Sequence, residues 1–199
     1  LQSKTPRYTR LAVAFFALVV ATYGAETFVQ HLSSVQQTLP LQTLQFLWLP
    51  SIVDDPPRNL LETKVHVVAL TRLLCESPLL LSSTDGQSVW KLTLTAVMSL
   101  LANKSFAKHA FSDYLETQDD NSSMVYDAQY SQLSYARKAA VDLLAHVNDP
   151  KGSFIAQLNS LTSSNRDTIL PLIHDALQSN PKVSESLQSM FREAGLTLG

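Results

Sequence analysis

Five histidines, a single cysteine and a run of carboxylates are the side chains in this sequence best suited to chemistry. A metal site would need ligands at helical or turn spacing. His31, His66, His109, His146 and His174 are scattered, with no pair four residues apart, no His-Glu-x-x-His and no Cys-x-x-Cys. Cys75 sits among leucines and reads as a small packing residue in a helix rather than a nucleophile. A lone cysteine cannot form an internal disulfide, which fits a reducing compartment. No Gly-x-Ser-x-Gly elbow and no glycine-rich phosphate loop occurs. His66 and His174 lie in helical patterns and read as partly buried surface residues, not bases. The pattern therefore offers no catalytic residue, no metal site and no cofactor. What remains is electrostatic. Between His109 and Ala136 there is no Lys or Arg, and Asp113, Glu116, Asp119 and Asp120 fall inside that stretch. Such a run is either a solvated loop or a contact for a basic partner. These four are the candidate partner-binding residues.

The elements that would carry them are helical throughout. No segment alternates apolar and polar residues over a strand length. A first helix is expected from about Lys4 to Tyr23, ending near Gly24. Its apolar run from Leu11 to Ala21, preceded by Lys4, Arg7 and Arg10, imitates a signal peptide. It is too short for a membrane span, which needs about 20 apolar residues, and reads as a helix buried on most sides inside a larger assembly. The chain starts with Leu rather than Met, so an internal or C-terminal piece of a longer protein is expected. A second helix follows from about Ala25 to Gln37. Pro40 interrupts it, and Leu41 to Ile52 continues the pattern as one bent helix or a separate short one.

In the Asp-Asp-Pro-Pro run from Asp54 to Pro57, Asp55 is expected to cap the next helix, with Pro56 at its first position. That helix carries Val67, Leu70 and Leu74 at helical spacing and stops at Ser77, before Pro78. Another runs from about Gln87 to Asn103. The stretch from about Lys104 to Val125 reads as an acidic insertion, after which Tyr126, Tyr130, Leu133, Ala140, Leu144 and Val147 form a helical stripe. The Asn-Asp-Pro run from Asn148 to Pro150 repeats the signal of a cap followed by proline. Three further apolar patterns, on Phe154–Leu161, Ile169–Leu177 and Val183–Phe191, mark the remaining helices. Trp48 and Trp90 are expected to pack between helices. They have no interleaved basic residues, as a base-stacking platform would require. Apolar content of 45% and charged content of 16% exclude a disordered chain. A net charge of −2 gives no basic field for nucleic acid. The sequons at Asn103 and Asn121 read as chance matches. Amphipathic helices broken by proline and joined by short turns predict an all-α fold: an α-solenoid of HEAT-like antiparallel helix pairs. At roughly 40–47 residues per unit, about four or five would fit.

The wording of several segments resembles one family. The run from Ala69 to Pro78 (ALTRLLCESP), the Tyr-Gly-Ala turn at Tyr23–Ala25, the Leu-Pro-Ser-Ile run at Leu49–Ile52 and the segment Tyr130–Lys138 (YSQLSYARK) are similar to the C-terminal part of the CAS family. This family of importin-α export receptors belongs to the importin-β superfamily of HEAT-repeat proteins. Order and spacing agree from about Lys4 to the end, although the insertion is less densely acidic than the family pattern.

The resemblance implies residues 1–199 as the C-terminal HEAT region of a receptor, with 104–125 as an acidic insertion between repeats. It implies export of importin-α together with Ran-GTP, shuttling between nucleus and cytoplasm, and no enzymatic activity. Ran contacts would come mainly from N-terminal repeats outside this chain. Nucleoporins are a further partner class, with no membrane insertion and no nucleic acid. In HEAT proteins the second helix of each pair lines the concave face, which here would be Ala25–Val53, Gln87–Asn103, Lys151–Leu161 and Lys182–Ala194. The rival readings are a HEAT-like scaffold unrelated to transport and an all-helical enzyme.

Overall fold

The structure is a computed structural model, and it describes residues 6–57, 59–102, 142–178 and 181–195. Every regular element among these residues is helical. The longer ones are α1 (Pro6–Tyr23), α2 (Ala25–Val35), α3 (Leu39–Thr43), α4 (Leu49–Asp54), α5 (Leu60–Glu76), α6 (Thr84–Leu101), α7 (Pro150–Ser164), α8 (Arg166–Gln178) and α9 (Pro181–Glu193). They stack as two rows. One row is α1, α5 and α7, with α5 in the middle. The other is α4, α6 and then α8 with α9, with α6 in the middle. This is the all-α, HEAT-like architecture that the sequence predicts.

The rows correct one expectation. Residues 151–161 lie in α7, which packs on α5 and therefore belongs to the first row, not to the row of α4 and α6. Residues 103–141, between α6 and α7, lie outside the described residues.

Local chemistry explains the boundaries. Gly24 turns the chain between α1 and α2 with φ of 97°, a region open to glycine. Of the two alternatives for the pieces on either side of Pro40, the structure has separate helices: α2 ends at Val35, Gln36 is extended, and a new helix starts at Leu39. Pro40 is the second residue of α3, and α3 runs through a π-turn at Leu44–Trp48 directly into α4. Pro50 causes the widening: it has no N–H to give the Phe46 carbonyl, and the neighbouring Leu49 N–H bonds five residues back, to Leu44.

The cap of α5 differs from expectation. Asn59, not Asp55, stands at the N-cap, where its side chain accepts the Glu62 N–H at 2.8 Å. Asp55 ends α4 and turns instead to Arg10. At α7 the expected cap is present: Asp149 accepts the Gly152 N–H, with Pro150 at the first helical position. Most of the helical stripe expected from Tyr126 to Val147 lies outside the described residues, and its last part, from residue 142, is not helical. Residues 142–149 are turns, closed by the Ala145 N–H on the Asp142 carbonyl and the Val147 N–H on the Leu144 carbonyl.

α1 buries one face, Val13, Ala17, Val20 and Ala21, against α5. Its opposite face, with Tyr8, Leu11 and Phe15, is exposed among the described residues. α5 is the helix surrounded on most sides. α1, α2, α6 and α7 all touch it, and its buried residues include Val67, Leu70, Leu73 and Leu74 together with the polar Thr63, Lys64, His66 and Thr71. A helix so enclosed needs partners for its buried polar groups, and Lys64 and His66 have them, whereas the Thr71 hydroxyl has no hydrogen-bond partner among the described residues.

Candidate functional site

The polar groups enclosed around α5 set the spacing of the rows. Lys64 is 1% exposed at its side chain, and its Nζ lies 2.6 Å from a carboxylate oxygen of Asp142. The other oxygen of Asp142 accepts the Leu144 N–H, which holds the carboxylate within its own turn. At the start of α5, Arg10 of α1 reaches both Asp55 and Glu62, joining α1, α4 and α5. At the other end, Arg72 donates to the Ala21 carbonyl at 3.0 Å, one of the carbonyls left over at the end of α1, and bonds Glu76 one turn along α5. Placed on Gly24, a Cβ would lie 3.3 Å from the Arg72 guanidinium, a tight approach that a small shift of the side chain relieves, so it is the positive φ that calls for glycine at this corner.

His66 is buried rather than at the surface, and sequence reasoning missed this. The Trp48 indole N–H donates to its Nδ1 at 3.2 Å, which places the remaining proton of the neutral ring on Nε2. The two rings stand edge to face, and the contact continues through Phe28 to Phe16. Burial pushes the His66 pKa down to about 4; the nearby Glu62 carboxylate opposes this and Arg10 adds to it. At ordinary pH it is a neutral acceptor inside the core, not a base poised near neutrality. Burial beside Glu76 pushes the Cys75 thiol up to about 12, so it carries no thiolate for nucleophilic work.

The surface depressions are open. One, of about 330 Å³, runs between the end of α5 and α7, along Cys75, Glu76, Gln157, Ser160 and Asn165. Another lies along α8 at Leu170, Pro171, His174, Asp175 and Gln178. His174 bonds Gln178 on its own helix, and Asp175 pairs with Lys91 of α6. Among the described residues no group of three His, Cys, Asp or Glu side chains could hold a metal, and no helix is long and apolar enough to cross a membrane. The predicted partner-binding residues Asp113, Glu116, Asp119 and Asp120 lie outside the described residues.

Comparison with known proteins adds the family. The sequence model of the family described as CAS/CSE protein, C-terminus, matches residues 1–189. The exportin-2 of Dictyostelium discoideum is 24% identical over 176 residues, which cover 88% of this chain and 18% of that protein. The exportin-2 of Xenopus laevis is 24% identical over 199 residues, covering 98% of this chain and 20% of that protein. The chain thus spans about a fifth of the length of these relatives. No solved structure matches. Of the segments that carried the resemblance, three fall at the turn at Gly24, at the π-turn and proline entering α4, and in the central helix α5; the fourth, Tyr130–Lys138, lies outside the described residues. With a family match over nearly its whole length and a fold of stacked helix rows, the chain belongs to the CAS/CSE protein family, in the part described as its C-terminus.

Proposed function

We propose that this chain is the C-terminal HEAT region of a nuclear export receptor that binds importin-α cooperatively with Ran-GTP and returns it to the cytoplasm. The observation that carries the reading is the family match over residues 1–189, joined to relatives named exportin-2. The fold supplies a physical reason why such a region would serve. Within each row a helix touches mainly the next one along, so small rotations between successive helix pairs add up along an array. A cargo that binds one curvature better than another is then coupled to any second ligand that shifts the same equilibrium. In this reading the chain is not an enzyme and takes no cofactor. The receptor shuttles through the nuclear pore, where nucleoporins are its transient contacts. Asp113, Glu116, Asp119 and Asp120 contribute an electrostatic contact to a basic surface of importin-α or Ran. The experiment is a pull-down of the full-length receptor on immobilised importin-α, with and without Ran loaded with GTP. Capture that requires Ran-GTP supports the reading. Equal failure in both conditions favours a HEAT scaffold of another function.

A further inference from the structure

We draw no further inference here: the strongest candidate, the exposed apolar face of α1 formed by Tyr8, Leu11 and Phe15, carries no proposal because nothing in the structure shows what covers it.

Discussion

The indole N–H of Trp90 donates to the backbone carbonyl of Leu74 at 3.1 Å, across the interface between α6 and α5. The bond answers a specific vacancy. Four residues after Leu74 stands Pro78, which has no N–H, so the Leu74 carbonyl lacks its intrahelical donor. Both residues are fully buried, and water cannot fill the gap cheaply. Trp90→Phe keeps an aromatic ring but leaves that carbonyl orphaned. The substitution should destabilise the fold by about 1–3 kcal/mol, measured as a lower midpoint in urea. An unchanged midpoint would mean that the carbonyl is satisfied in another way.

Leu74 itself fills the core of the central helix. Leu74→Ala removes buried methyl groups from a site with neighbours on several sides and should cost roughly 2–5 kcal/mol. Thermal melting of the variant tests this directly. A midpoint equal to that of the parent chain would contradict the burial.

His66 gives stability a pH dependence. Its folded pKa, about 4, lies below the ordinary 6.5, because burial penalises the charged ring. Between those two values the unfolded chain binds more protons than the folded one, so stability rises with pH across the window. The contribution is fully present above pH 6.5 and is lost as pH falls towards 4, amounting to roughly 3 kcal/mol. His66→Gln cannot titrate, so denaturation midpoints for this variant should change less between pH 7 and pH 4.5 than those of the parent. Parallel pH profiles would show that His66 is not the group responsible.

The buried pair Lys64–Asp142 should behave asymmetrically. Removing one partner, as in Lys64→Met, leaves the Asp142 carboxylate enclosed without its ammonium and should cost about 3–5 kcal/mol. Replacing both, Lys64→Met with Asp142→Leu, should recover much of that loss. Equal destabilisation of the single and double variants would contradict the role given to the ion pair.

The four acids Asp113, Glu116, Asp119 and Asp120 make a kinetic prediction. Exposed charges act mainly on association rate and on its dependence on salt. Changing all four to Asn or Gln in the full-length receptor should slow assembly with importin-α and Ran-GTP at low salt and matter little at high salt. Unchanged low-salt rates would reduce the run to a solvated loop.

The all-helical class, the helix order and the stop at Pro78 were legible because periodicity and proline act locally. The cap of α5 was not. Asp55 carries a good local signal, but Arg10, 45 residues away in sequence, recruits it, and Asn59 takes the cap. His66 escaped notice for the same reason. A histidine on a helix shows no sign of burial until Trp48 is folded against it. The bend between α3 and α4 was half legible: the prolines were visible, whereas the π-turn depends on how Leu44 and Leu49 pair. The helix rows followed from amphipathic patterning, but the row to which α7 belongs is set by its packing on α5, a long-range contact that a local pattern does not carry. The acidic residues were singled out by charge alone, and a charge pattern gives no partner geometry.

The most direct measurement of the central claim is the coupling between the two proposed ligands of the full-length receptor. The affinity for importin-α is measured with and without saturating Ran-GTP, and the affinity for Ran-GTP with and without saturating importin-α. Linkage requires both ratios to be equal, and the account predicts that each ligand tightens the other by the same factor, about 5-fold to 150-fold for a typical coupling. Binding of importin-α that is indifferent to Ran-GTP, or absent under both conditions, would contradict it.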